Sequence, residues 1–178
     1  MKIQQNQPPS WRTVIILALL LGLVTYCNAQ NHFGYEQDKQ YAYASVGSSY
    51  AKTPYTNNFT PNGIVTVGVR YELADISINY EYVKLTPEYH SYFLQAQIIP
   101  LDIHNFEFGA GMKYGRIIRG DIGTYNYFGF NGEIRATYNK FFISLMGSYD
   151  YRGDIRYVWG DNSDYWKYTT HLKIGIKI

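Results

Sequence analysis

The sequence predicts an all-β fold, an eight-stranded antiparallel up-and-down transmembrane β-barrel, and three observations predict it. Segments of about ten residues alternate apolar and polar side chains, the links between them alternate short and long, and the only long apolar run stands at the amino terminus. Period-two alternation separates two faces of a strand. Alternating tight turns and longer loops are the rhythm of a chain that crosses a bilayer repeatedly as strands.

The elements follow in order. Lys2 and Arg12 precede the apolar run TVIILALLLGLVTY at 13–26, which ends in Cys27-Asn28-Ala29-Gln30. The run is short of the roughly 20 residues a membrane helix needs, and small residues at Cys27 and Ala29 fit cleavage after Ala29. Residues 1–29 are therefore expected to be a cleaved signal peptide rather than an uncleaved anchor. Acylation at Cys27 is opposed by the bulky Tyr26 before it. Cleavage would remove the single cysteine and with it any disulfide. Residues 30–39 are read as a short periplasmic segment and 40–178 as the barrel.

The first strand, about Gln40 to Tyr50, has tyrosine, alanine and serine on both faces. In the second, Val65, Val67, Val69 and Tyr71 oppose Thr66, Gly68, Arg70 and Glu72. In the third, Ile76, Ile78, Tyr80 and Tyr82 oppose Ser77, Asn79 and Glu81. Tyr92 to Ile99 sets Tyr92, Leu94, Ala96 and Ile98 against Gln95 and Gln97, and Phe106 to Tyr114 alternates with Glu107 and Lys113. Phe128 to Tyr138 interleaves with Asn131, Glu133 and Arg135. Phe141 to Tyr149 opposes Ser144, Met146 and Ser148, and Leu172 to Ile178 opposes His171, Lys173 and Lys177. Short links are expected near 73–75, 102–105 and 139–140, and longer ones at 51–63, 84–91, 115–126 and 150–167.

Which face is inside follows from charge. Arg70, Glu72, Glu81, Glu107, Lys113, Glu133, Arg135, Lys173 and Lys177 fall on the polar faces with mixed signs, a set that could pair within a narrow lumen, where an unpaired charge would be expensive. Once the other face is apolar and meets lipid, the sheet must close. Tyr50, Tyr71, Tyr82, Tyr92, Tyr114, Tyr138 and Tyr149 stand at or near strand ends, where girdle residues meet headgroups, although tyrosine favours strands in any case.

On this pattern, residues 40–178 resemble the small eight-stranded outer-membrane barrels of Gram-negative bacteria, of the OmpX kind and the membrane domain of OmpA. The Ala29-Gln30 junction and the lysine-rich last strand resemble those of Bacteroidetes-type surface proteins. Ile178 departs from the terminal phenylalanine of many proteobacterial barrels. No peptidoglycan-binding domain is read after the barrel, so a wall-anchoring role of the full OmpA kind is not expected. The resemblance implies an outer-membrane location with periplasmic termini, contact with outer-membrane lipid and with the insertion machinery, and a monomer.

Basic and acidic residues balance at 14 each once Lys2 and Arg12 are set aside from the 16 lysines and arginines, which argues against a nucleic-acid partner. No enzyme is expected. His90 and Ser91 are adjacent and so face opposite ways on a strand, His32 and His104 lie outside the strands, and His171 falls in with the lumen network. No cofactor or metal is expected, because Asp161-Asn162-Ser163-Asp164 lacks the glycine and glutamate of a calcium loop; Asp150, Asp154, Asp161 and Asp164 are read as solvated loop acids. A lumen eight strands wide is filled by side chains rather than open to bulk flow. The expected function is therefore that of an outer-membrane surface or structural protein that meets an extracellular or envelope protein partner through its loops. A narrow small-solute channel or binder, using Arg70, Glu133, Arg135 and Lys173, is the alternative, and a lipid-modifying enzyme the third reading. The candidate surface-binding loop carries Tyr151, Arg152, Arg156, Tyr157, Trp159, Tyr165 and Trp166, an aromatic and arginine mixture of the kind found at binding hot spots; the same aromatics could instead continue the strands.

Overall fold

The alternating segments pair edge to edge until the last meets the first. In a computed structural model of the chain, residues 39–49, 62–85, 88–103, 105–159 and 165–178 are described, the side chains of Arg156, Val158 and Trp159 excepted. The expected signal peptide, Tyr50, His32, His104, Asp161 and Asp164 lie outside the described residues. The strands are β1 (Gln40–Ser49), β2 (Asn62–Tyr71), β3 (Ala74–Val83), β4 (Tyr89–Ile103), β5 (Phe106–Arg119), β6 (Gly123–Tyr138), β7 (Phe141–Arg152) and β8 (Trp166–Lys177), with a six-residue helix α1 (Asp154–Trp159) between the last two. They form a closed barrel in sequence order, antiparallel throughout, with β1 paired to β8 from Tyr43↔Lys177 to Ser49↔His171.

The end that holds Gln40 and Ile178 is called lower here. It carries tight turns in which Glu72 (φ 51°) and Asn139 (φ 55°) adopt the left-handed conformation that two-residue hairpin links demand. Glu72 therefore stands exposed in a turn and not in the lumen, which corrects its expected place. The short links are tighter than expected, since Asp75 belongs to β3 and Asp102 to β4.

The expected loop at 115–126 is mostly strand. β5 runs to Arg119 and β6 starts at Gly123, leaving a turn closed by the Ile122 amide donating to the Arg119 carbonyl at 2.9 Å. The extension escaped sequence reading because polarity reverses along it: Arg116 faces out and Ile117 is wholly buried. Elsewhere the two faces separate cleanly. Val65, Val67, Val69, Ile78, Leu145 and Ile174 are exposed on the outer wall, while Thr66, Ser77, Asn79 and Ser144 are buried inside. Tyr71, Tyr92, Tyr114, Tyr138 and Tyr149 are exposed on the outer wall as expected for girdle positions.

One irregularity sets a functional side chain. The pairing of β4 with β5 shifts register between Ile98 and Leu101. Above the shift Gln95, Gln97 and Ile99 point inward; below it Leu101 and Ile103 point outward and Asp102 turns in. The bulge reverses the strand's phase, and so brings a carboxylate into the lower mouth.

Candidate functional site: the ion-paired lumen and its cap

Inward side chains fill the barrel in tiers. Buried cations Arg70, Lys113, Arg119, Arg135, Arg152 and Lys173 are matched by buried carboxylates Asp75, Glu81, Glu107, Glu133, Asp150 and Asp154. Such a balance is what a low-dielectric interior requires, since a buried charge without a partner costs several kcal/mol.

Arg135 on β6 is the hub of the lower half. Its guanidinium reaches Asp75 at 3.1 Å, Glu107 at 3.4 Å and Glu133 at 3.5 Å. It also donates to the Tyr41 hydroxyl at 3.0 Å, and that hydroxyl donates in turn to Glu107 at 2.8 Å. The rings of Tyr43 and Phe142 lie 4.5 and 4.9 Å from the guanidinium carbon and meet each other edge to face. Glycine makes room for both rings: a Cβ at Gly68 would strike Tyr43, and one at Gly175 would strike Phe142. Tyr43 then donates its hydroxyl to Asp75 at 2.7 Å. Below the hub, Lys177 lies 3.6 Å from Glu107, and Asp102 meets Lys39 at 2.7 Å and Arg70 at 3.9 Å.

Above the hub, Lys173 meets Glu133 at 3.1 Å, Lys113 meets Asp150 at 2.8 Å, and His171 meets Glu81 at 2.9 Å. Asn62 donates to Glu81 at 2.6 Å, and Lys113 lies over the Phe93 ring at 4.9 Å. The upper lumen then turns apolar. Ile64, Val83, Tyr89, Phe93, Ile117, Tyr127 and Met146 form one buried cluster. Over it α1 inserts Asp154 and Ile155, exposed by 0% and 1% respectively, so that the helix corks the mouth rather than standing in solvent. Arg152 grips Asp154 with two hydrogen bonds of 2.9 Å, Arg119 approaches it at 3.7 Å, and Arg152 lies over the Tyr89 ring at 4.8 Å.

Of the expected lumen charges, the structure brings Arg70, Glu81, Glu107, Lys113, Glu133, Arg135 and Lys173 inside and sets Lys177 at the lower mouth; Glu72 alone is elsewhere. The expected binding loop divides. Arg152 is buried in the cap, and Asp150 and Asp154 are buried partners rather than solvated acids, because β7 runs two residues past Asp150 and the chain then folds inward. Tyr151 and Trp166 continue β7 and β8, pack against each other and against Phe128, and Tyr165 packs on Tyr151. Tyr157 stays half exposed on α1 with its ring 4.9 Å from that of Tyr125. Arg156 and Trp159 have backbone positions in α1.

Sequence reading missed Asp75, Asp102 and Arg119 as lumen charges and assigned Asp150, Arg152 and Asp154 to an outer loop. Asp75 continues the phase of Ser77 and Asn79, Arg119 that of Lys113, and Asp150 and Arg152 that of Ser148, so extending each alternation would have found them. Nothing local marks Asp102, which sits beyond the bulge, or Asp154, which sits on a folded-back helix.

Closure, strand number, pairing order and polarity define a class: this is an eight-stranded up-and-down barrel with the fold of the small outer-membrane barrels. Among solved structures the chain is similar to Neisserial surface protein A, at 14% identity and a TM-score of 0.50, over 78% of this chain and 96% of that one. It is also similar to the N-terminal β-barrel domain of Pseudomonas aeruginosa OprF, at 11% identity and a TM-score of 0.45, over 79% and 100%. At these identities the likeness concerns the fold. No protein-family model matches the sequence, and no curated protein matches it.

Proposed function

We propose that the chain spans the outer membrane with both termini periplasmic, closed to solute, as a surface scaffold that presents its upper connections to an envelope or extracellular protein. The observation that carries this reading is the inversion of polarity across the wall. Valine, isoleucine, leucine and aromatic side chains are exposed outside, whereas six cations and six carboxylates are buried inside. Water would leave that outer surface costly, and lipid removes the cost. Against the narrow channel stand the ion pairs that cross the lumen at Arg135 and Lys113 and the Asp154 cap above them. The fold likeness to one protein named for the cell surface, Neisserial surface protein A, is in keeping with the scaffold role. The partner is expected on the upper face, where Tyr157 and the β5–β6 turn are exposed.

The test combines gel mobility of unboiled and boiled protein from outer-membrane fractions with intact mass and planar-bilayer recording. A heat-shifted outer-membrane species beginning at Gln30 and without conductance is expected; a soluble periplasmic species overturns the reading. Val67→Arg separates lipid from water outside the wall. In a bilayer it costs about 2–4 kcal/mol, whereas on a water-facing strand the change in unfolding free energy stays within about 0.5 kcal/mol.

A further inference from the structure

The outer wall of the eight strands is almost free of charge. Among the described residues its ionisable side chains other than tyrosine are His90 on β4 and Arg116 on β5. They are diagonal neighbours, since Tyr92 pairs with Arg116 and His90 with Ile118.

The register arranges this corner of the wall in three rows. Ile78, Leu94, Tyr114 and Phe128 form an apolar row; Tyr80, Tyr92, Arg116 and Asn126 lie above it; Tyr82, His90, Ile118 and Thr124 come next. Arg116 thus stands at the height where the wall changes from apolar to polar, the height of lipid headgroups on the membrane reading. Tyr80 and His90 share a hydrogen bond of 2.8 Å between the phenol oxygen and Nδ1, and the Tyr80 and Tyr92 rings lie 4.9 Å apart. Nε2 of His90 faces the exposed Glu88 carboxylate at 3.6 Å. Whichever of the two atoms donates, this bond holds the Tyr80 phenol in place beside Tyr92. Arg116, exposed and with no ion-pair partner among the described residues, supplies the positive charge of this corner. The row of Phe128 continues into Tyr151 and Trp166 on β7 and β8, and the row of Phe130 into Tyr149, and these strands present no cation on the outer wall among the described residues.

We propose that this corner binds the anionic phosphate of a lipid headgroup. Arg116 takes the phosphate in a bidentate pair, Tyr92 adds a hydroxyl donor, His90 holds the Tyr80 phenol beside it, and the acyl chains lie along Ile78, Leu94 and Tyr114. The inference rests on the membrane reading and deepens it.

The test is native mass spectrometry of the full chain released from phosphatidylcholine vesicles doped with phosphatidic acid. Wild type is expected to retain phosphatidic acid preferentially. Arg116→Gln lowers that preference about tenfold, the worth of one charge-assisted contact, and His90→Gln lowers it less. Lys140→Gln, in a turn at the lower end, leaves it unchanged. Arg116 is exposed, and a retained heat shift checks that the variant folds. Unaltered preference in Arg116→Gln overturns the site. Displacement of the lipid by inorganic phosphate assigns the chemistry to a free anion and overturns the headgroup. A wild-type chain that fails to insert overturns the membrane reading itself, an outcome distinct from a chain that inserts and shows no preference.

Discussion

The lower and upper halves of the lumen are sealed by different physics. Below, Arg135 gathers Asp75, Glu107 and Glu133 between the rings of Tyr43 and Phe142. Above, Ile64, Val83, Phe93, Ile117 and Met146 pack as an ordinary core beneath Ile155 of the cap. The difference teaches that a barrel with an apolar exterior need not be polar throughout its interior. Where the outer wall turns polar, at Arg116 and Asn126, the inner wall turns apolar, at Ile117 and Tyr127. The inversion belongs to the part of the wall that the membrane reading places in lipid. Above it the cluster around Ile117 follows the rule of water-soluble proteins, hydrophobic within, and the charges buried beside it, Arg119, Arg152 and Asp154, are paired with one another.

The two halves should respond differently to substitution. The largest effect is expected from Arg135→Leu, which leaves buried carboxylates without their shared cation; about 3–5 kcal/mol of stability is lost, read as the shift in the urea midpoint of the heat-modifiable form. Ile117→Ala in the upper cluster should cost less, about 2–4 kcal/mol, the transfer and cavity cost of a wholly buried isoleucine. Equal losses in the two variants would erase the proposed distinction. The smallest effect is expected where a pair is removed whole. Lys113→Met with Asp150→Leu should stay within about 1 kcal/mol of the native protein, while Lys113→Met alone should cost about 3 kcal/mol. If the double variant is as damaged as the single one, Ser148 and Thr169, which also bond Asp150, matter more than the ion pair.

Much of this was legible because a strand writes its two environments in alternate letters. Val65 to Tyr71 and Phe128 to Tyr138 each announced strand and phase, and Arg70, Glu81, Glu107, Lys113, Glu133, Arg135 and Lys173 on the polar faces are buried. Legibility failed where the alphabet changed. Past Tyr114 the outer wall becomes polar and the inner wall apolar, so Gly115 to Asn126 read as a loop although all but the turn at 120–122 is strand. It failed again at Pro100, where one extra residue reverses the phase and conceals Asp102. At Asp154 a short helix turns back into the mouth, a tertiary decision with no local sign. Arg152 was misassigned for the same reason: beside Tyr151 and Tyr157 it reads as part of a sticky surface, yet strand phase and the folded-back cap put it inside.

The Arg135 hub also bears on the order in which the barrel is made. Tyr41 belongs to the first strand, Asp75 to the third, Glu107 to the fifth, and Arg135 itself to the sixth. A sheet still open between β1 and β8 has its inner face uncurled, and the ligands of the guanidinium are then too far apart to be met at once. The contact across 94 residues from Tyr41 to Arg135 can form only as the sheet rolls up. Glu107 and Glu133 reach the guanidinium within the β5–β6 hairpin, whereas Asp75 and Tyr41 are added only on curling. The hub thus ties part of its own completion to closure, since its bonds to Asp75 and Tyr41 reward the strand order in which the sheet meets its own edge.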